Sequence, residues 1–177
     1  HNADPDIGPG LSDAGKELVR ICDARGVMID LSHLNAAGFR DVAAISTKPL
    51  VATHSNVHAI SPGTRNLTDW QLAAIRESKG IVGLNFATGF LREDGKMLPD
   101  TGLDIMVRHI DALVEALGED GVALGSDFDG ATMPDVIKDV TGVPKLFQAL
   151  LGKGYGEELV RKIALDNWLS LVERTIG

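Results

Sequence analysis

Two histidines that each close a short apolar run are the first residues of this sequence that could do chemistry. His33 ends the stretch "MIDLSH" and His54 ends "LVATH", twenty-one residues further along. If both runs are strands of one parallel sheet, the two imidazoles lie at neighbouring strand ends and could bind one zinc ion at about 2.0–2.1 Å each. The alternative is that each histidine only makes structural hydrogen bonds. A catalytic zinc usually has three protein ligands, so a third would have to come from Asp127 or from outside this chain.

Two charged residues are further candidates, Asp127 in "GSDFDG" and Arg65 in "SPGTRN". A carboxylate beside a metal-bound water could accept its proton and pass it to a leaving amine, which is the role we predict for Asp127. Arg65 could pair through two parallel hydrogen bonds with a substrate carboxylate, the alternative being a solvated loop charge. We interpret Asp129 as a turn or helix cap, His58 as a loop residue and His109 as a surface or packing residue of a helix.

Four apolar, β-branched runs alternate with segments of helical period, and these elements must position the candidate residues. The predicted strands are "VMIDLSH", "KPLVATHS", "GIVGLNF" and "GVALGSDFDG", and amphipathic helices precede, separate and follow them. This alternation predicts an α/β protein with a parallel sheet covered on both faces. Ligands and catalytic groups collect where parallel strands end, and His33, His54, Asn85 and Asp127 are the residues expected there.

Two architectures fit four parallel strands alternating with helices in a single domain of residues 1–177. One is an open four-stranded sheet, but no strand-to-helix turn carries the G-x-G-x-x-G or G-x-x-x-x-G-K pattern of nucleotide-binding folds. The other is half of a (β/α)8 TIM-like barrel, which needs about 250 residues when complete. The sequence opens without methionine on the polar loop "HNADPDIGPG", which favours a piece of a longer barrel.

Composition limits the partners and the kind of metal site. The net charge of -8 repels nucleic acid and anionic membranes, and no apolar run reaches the roughly 18 residues of a membrane span. We therefore predict neither a nucleic-acid partner nor a membrane segment, with the cytoplasm as the best assignment of location. The single cysteine, Cys22, excludes a multi-cysteine zinc site, so a metal here needs histidine and carboxylate ligands.

Four motifs, in this order and at these spacings, resemble the renal or membrane dipeptidase family of zinc peptidases, peptidase M19: "MIDLSH", "VATHSN", "SPGTRN" and "GSDFDG". The resemblance covers nearly the whole chain and implies the C-terminal half of a (β/α)8 metallohydrolase barrel. It also implies a dipeptide substrate and two zinc ions bridged by a carboxylate and a hydroxide. By this analogy His33 and His54 bind the second zinc ion, Arg65 binds the C-terminal carboxylate of the substrate, and Asp127 contacts its amino group and shuttles the proton.

The sequence departs from the family pattern in one large respect. The family's His-x-Asp pair on the first strand and its bridging glutamate have no counterpart, which implies that the ligands of the first zinc ion lie in the N-terminal half of the barrel. We therefore expect the chain to need that half and to be inactive alone. The resemblance matches His1 to a substrate-binding histidine and makes a homodimer plausible.

Two other functions remain open at this point. One is a different barrel metallohydrolase of the amidohydrolase type, acting on a cyclic amide or ester, which a substrate panel would separate from a dipeptidase. The other is a catalytically inactive binding relative that keeps the fold without the metal. The joint presence of His33, His54, Arg65 and Asp127 argues against the inactive relative, and the missing first metal site argues for it.

Overall fold

A short parallel sheet organises the computed structural model, which describes residues 8–176. Its strands are β1 (Val51–Ala52), β2 (Ile81–Leu84) and β3 (Val122–Leu124), in the order β1-β2-β3. Val51 pairs with Ile81, and Val82 pairs with Val122. Every strand residue except Leu124 is buried, as expected for parallel strands that are covered on both faces.

Helices separate and flank the strands, as the apolar periodicity predicts. In chain order they are α1 (Asp13–Ala24), α2 (Ala36–Ile45), α3 (Asp69–Glu77), α4 (Thr88–Leu91), α5 (Leu103–Leu117), α6 (Val143–Lys153), α7 (Glu157–Arg161) and α8 (Asn167–Ile176), with 3-10 turns at Glu119–Gly121 and Val140–Gly142 and a π-turn at Lys162–Asp166. Side chains at the first turns fix where several of them begin. Ser12 accepts a hydrogen bond from Gly15 N, and Asn35 accepts one from Gly38 N.

The prediction of four strands is wrong for the first of them, because residues 27–33 do not form a strand. In the described residues it contributes one isolated parallel bridge, between Asp30 and Val51. The Asp30 carboxylate accepts the backbone N–H groups of Ser32 and Thr53, both at 2.9 Å, so a side chain takes donors that a longer ladder would use. His33 then turns the chain away with a φ of 67°. The α/β class is confirmed with three strands.

The two faces of the sheet pack against different helices. On one face Ala52, Val82, Leu84 and Val122 join the main hydrophobic core, to which α5 contributes more side chains than any other helix. On the opposite face a second cluster joins one residue from each strand to α8: Val51, Ile81, Ala123 and Leu171. Both faces of the sheet are therefore covered, as predicted.

The opposite side of α8 is exposed and apolar. Leu165 lies in the π-turn and is 49% exposed. Leu169, Val172 and Ile176 lie in α8 and are 53%, 41% and 65% exposed. Their spacing of four, three and four residues places them in one line along the helix, which we call the α8 stripe. Within residues 8–176 no helix is long and apolar enough to cross a bilayer.

His109 in α5 is a buried packing residue that joins the loop at Val57 to the end of α4. Its Nδ1 accepts the N–H of Val57 at 3.2 Å, and its Nε2 lies 2.9 Å from the carbonyl oxygen of Leu91, to which it donates. One nitrogen must be unprotonated and the other protonated, so the ring is neutral. Burial lowers the pKa of His109 to about 4, against the opposing hydrogen bond to Leu91 and with help from the charge of Arg108.

We expect this buried histidine to make the fold acid-sensitive. Below its ordinary pKa of about 6.5, His109 takes up a proton in the unfolded chain but stays neutral in the folded one. The free energy of unfolding should therefore fall by about 3 kcal/mol as the pH drops from about 6.5 to 4. Urea unfolding at pH 7 and pH 4.5 measures this.

His109→Gln keeps a donor and an acceptor but has no group that takes up a proton in this pH range. The free energy of unfolding of this variant should therefore fall less than that of wild type as the pH drops. His58→Gln, in a partly exposed loop, is the matched control and should keep the wild-type pH dependence. Equal pH dependence in wild type and His109→Gln would contradict the prediction.

Candidate active site

The predicted strand-end residues meet at one edge of the sheet. His54 follows β1, Asn85 follows β2 and Asp127 follows β3, while His33 follows the bridge at Asp30. A cleft of about 400 Å³ opens at this edge, and Thr53, His54, Asp127 and Trp168 are among the residues that line it. Pockets of this size hold small-molecule ligands.

His33 and His54 point the same nitrogen at each other. Their Nε2 atoms are 2.9 Å apart, and their ring centroids are 5.0 Å apart at an angle of 52°. Two nitrogens that bind one zinc ion lie at most about 4 Å apart, so this pair fits two ligands of a single ion. Burial and the nearby charge of Arg65 lower the pKa of His33, which favours the neutral imidazole that a metal requires.

The far side of the His54 ring is held by a hydroxyl and a carboxylate. His54 Nδ1 lies 2.7 Å from Thr53 Oγ1, which donates to Asp30 Oδ2 at 2.6 Å. Burial opposes ionisation of Asp30, but hydrogen bonds from Thr53 and Ser32 outweigh it and hold the pKa of Asp30 below its usual range. Ser32 Oγ also accepts the backbone N–H of His54. The stretch "DLS" thus orients the histidine that lies across from it.

Asp127 is held by Asn85, which is fully buried. Asn85 Nδ2 donates to Asp127 Oδ2 at 3.0 Å and lies 3.3 Å from the carbonyl oxygen of His54. Asn56 and Asn85 also exchange hydrogen bonds through side chain and backbone. Sequence reasoning placed Asn85 at a strand end but gave it no role, and it missed Asn56. The only signal for Asn56 was its position two residues after His54.

Arg65 is buried, so the alternative of a solvated loop charge is wrong. Its side chain is 5% exposed, its Nη2 donates to the carbonyl oxygen of His54 at 3.0 Å, and its guanidinium lies 5.2 Å from the ring centre of Phe90. Burial lowers the pKa of Arg65 against the attraction of Asp127 and Asp30. Among the described residues its buried Nε has no hydrogen-bond partner. A guanidinium with an unused donor is suited to bind a carboxylate.

Two of the candidate residues have an unusual backbone. His33 and Asp127 have φ angles of 67° and 60°, in the left-handed region that side chains other than glycine seldom adopt. Asp129, at 64°, lies in the turn after Asp127, as predicted. Such conformations cost about 1–3 kcal/mol each and are concentrated at functional sites.

The backbone around Thr53 is packed against two glycines. A Cβ atom on Gly125 would lie 1.7 Å from the carbonyl oxygen of Thr53, and one on Gly83 would lie 2.0 Å from it. Both distances are far below van der Waals contact, so only glycine fits at either position. The peptide group that precedes His54 is therefore fixed by β2 and β3.

The described residues do not include two of the predicted features of the site, a third metal ligand and His1. In the part of the chain that the structure describes, no three His, Cys, Asp or Glu side chains are placed to share one metal ion. The described residues therefore fit two ligands of a metal site and do not supply a third. His1, the predicted substrate-binding residue, lies outside the described residues.

Comparison with known proteins identifies a family. Residues 2–175 match the family described as membrane dipeptidase, peptidase family M19. A Klebsiella pneumoniae protein known by its position in the pqqA 5' region is 52% identical over 169 residues, which are 96% of this chain and 62% of that protein.

Two solved structures are similar to this one along almost its whole length. The metallopeptidase "dipeptidase AC", of family M19, is 57% identical with a TM-score of 0.96 over 99% of this chain and 52% of its own. A metallopeptidase from Rhodobacter sphaeroides, bound to a phosphinate mimic of the dipeptide L-Ala-D-Ala, is 57% identical with a TM-score of 0.95 over 98% of this chain and 50% of its own. The chain thus spans about half the length of these two proteins.

Proposed function

The chain belongs to the membrane dipeptidase family, peptidase family M19, and from this membership and the site geometry we propose that it forms part of a zinc-dependent dipeptidase. The observation that carries the proposal is the pair of Nε2 atoms of His33 and His54, 2.9 Å apart at the strand ends. The similarity of the chain to two metallopeptidases, one of them bound to a dipeptide mimic, supports a metal cofactor and a dipeptide substrate.

We further propose that the chain supplies the C-terminal half of a (β/α)8 barrel and that the other half supplies the remaining zinc ligands. Three observations support this. The described residues offer two ligands where a catalytic zinc usually has three. The chain covers 52% of the similar dipeptidase. The α8 stripe leaves exposed an apolar surface that a neighbouring element would bury.

The residues of this chain have separable roles in peptide hydrolysis. His33 and His54 would hold one of the two zinc ions through Nε2. When bound, zinc polarises the substrate carbonyl and lowers the pKa of water. Arg65 binds the substrate carboxylate. Asp127, oriented by Asn85, contacts the substrate amino group, takes up a proton on its carboxylate and returns it to the leaving amine.

The position of Arg65 explains why the substrate should be short. Its Nη2 donates a hydrogen bond to the backbone carbonyl oxygen of His54, so we place the substrate carboxylate next to the histidine pair. A carboxylate held so close to the scissile bond leaves room for a single residue on that side. This favours dipeptides over longer peptides.

A chimera tests the function. In it, this chain replaces the aligned part of the dipeptidase that is 57% identical to it, so that the relative supplies the other half. We expect zinc-dependent hydrolysis of L-Ala-D-Ala by the chimera and none by the 177-residue chain alone. His33→Ala or His54→Ala should lower kcat/KM at least about a thousandfold, equivalent to about 4 kcal/mol.

His58→Ala is the matched control, because His58 lies in the same loop region but outside the histidine pair, and it should leave kcat/KM nearly unchanged. Full activity after His33→Ala would contradict the assignment of the metal ligand. A panel of cyclic amides and esters separates the dipeptidase from another amidohydrolase-type enzyme. A folded chimera that binds zinc and hydrolyses nothing would indicate an inactive relative.

A further inference from the structure

A hydroxyl bridge joins Asp30 to His54 on the side of the ring that faces away from His33. Thr53 Oγ1 lies 2.6 Å from Asp30 Oδ2 and 2.7 Å from His54 Nδ1. Asp30 itself lies 3.7 Å from Nδ1, beyond hydrogen-bond distance. The carboxylate therefore acts on the ring through the threonine and lies away from Nε2.

The bridge allows only one arrangement of protons. A hydroxyl has a single proton to donate, and Thr53 has two neighbours at hydrogen-bond distance. Asp30 also accepts the backbone N–H groups of Ser32 and Thr53, which favours the ionised carboxylate, an acceptor only. Thr53 must then donate its single proton to Asp30, because two oxygens at 2.6 Å with no proton between them would repel each other. Its oxygen is left to accept a hydrogen bond from the Nδ1–H of His54.

We infer that Asp30 and Thr53 are positioning residues that hold His54 as the Nδ1–H tautomer, with the lone pair of Nε2 facing His33. In the metal-free chain this lone pair accepts the Nε2–H of His33, which accounts for the 2.9 Å separation. The inference deepens the proposed function, on which it rests, because the same lone pair is the one that would bind zinc. Partners of this kind fix the tautomer of metal-binding histidines and strengthen binding.

Nitrogen NMR of the metal-free chain measures the tautomer directly. Long-range proton–nitrogen correlation distinguishes a protonated ring nitrogen from an unprotonated one. In wild type we expect His54 to show a protonated Nδ1 and an unprotonated Nε2. Thr53→Val removes the hydroxyl at nearly constant shape and should shift the Nδ1 signal toward the unprotonated range. Thr53→Ser keeps the hydroxyl and should restore the wild-type pattern.

Thr47→Val is the matched control. Thr47 Oγ1 donates to a carboxylate, Asp23 Oδ2, at 3.3 Å, so the variant removes an equivalent bond away from the site. It should leave the His54 signals unchanged. The backbone amide spectrum reports whether each variant is folded, and Thr53→Ser keeps the comparison informative should Thr53→Val unfold.

The zinc affinity of the same variants, made in the chimera that supplies the remaining ligands, separates this inference from the proposed function. We expect Thr53→Val to raise the zinc Kd about 10- to 100-fold, and Thr53→Ser to leave it nearly unchanged. A wild-type Nε2–H tautomer, or a folded Thr53→Val with unchanged His54 signals, would overturn the inference even if zinc binds. Absence of zinc binding by the chimera, together with the expected tautomer pattern, would uphold the inference and overturn the proposed function.

Discussion

Replacing Arg65 with methionine is expected to increase the free energy of unfolding by about 1–2 kcal/mol while abolishing recognition of the substrate carboxylate. The guanidinium is buried, and among the described residues its Nε has no partner, so the folded chain bears a desolvation cost that is not fully compensated. Methionine has similar length and no charge, and it can pack against Phe90. The carbonyl oxygen of His54 loses one donor but keeps Asn85 Nδ2 at 3.3 Å.

Urea unfolding measures the gain in stability, and kcat/KM of the chimera measures the loss of function, which we expect to be about a thousandfold. Arg92→Met is the matched control. Arg92 is paired with Asp94 at 2.8 Å on the surface, so its replacement should neither stabilise the chain nor lower kcat/KM. Clear destabilisation by Arg65→Met would show that Arg65 has a structural role instead.

Gly125→Ala should have the largest effect on stability of the glycine substitutions near the site. The new Cβ would lie 1.7 Å from the carbonyl oxygen of Thr53 and 3.1 Å from the Cα atom of His54. Both are backbone atoms, which cannot rotate away as a flexible side chain can. We expect a loss of about 3 kcal/mol or more in the free energy of unfolding and loss of measurable zinc binding.

Gly63→Ala is the control for this experiment. An added Cβ at Gly63 meets no atom within 4 Å, so its effect on the free energy of unfolding should stay within about 0.5 kcal/mol. Urea unfolding of the two variants, and zinc titration of chimeras that carry them, provide the comparison. Wild-type stability in Gly125→Ala would mean that β1 and β3 can move apart at the site.

Local pattern was sufficient to predict most elements and the residues at the strand ends. Apolar runs bounded by turns predicted the three strands. Helical period predicted the helices, with α7 and α8 as one continuous segment, but missed α4 (Thr88–Leu91). A four-residue helix is about one turn, which is too short for a periodic signal. Because parallel strands end at the same edge, the pattern also grouped His33, His54, Asn85 and Asp127 correctly.

The errors came from contacts between residues that are distant in sequence. Residues 27–33 have a strand's composition, but the Asp30 side chain takes the N–H of Thr53, twenty-three positions away. The burial of Arg65 depends on its contacts with His54 and Phe90. Neither interaction leaves a local pattern. The homodimer and the position of this chain within a complete barrel stay predictions.

The π-turn at Lys162–Asp166 sets which side of α8 packs against the sheet. A π-turn holds one residue more than a turn of α-helix, and each residue rotates a helix by about 100°. The ten residues of α8 are therefore turned by roughly a quarter of a circle from where an uninterrupted helix would place them. With this offset, Leu171 packs against the strands and the α8 stripe faces outward. A single surplus residue thus sets the phase of the helix, and with it the surface offered to a neighbouring element.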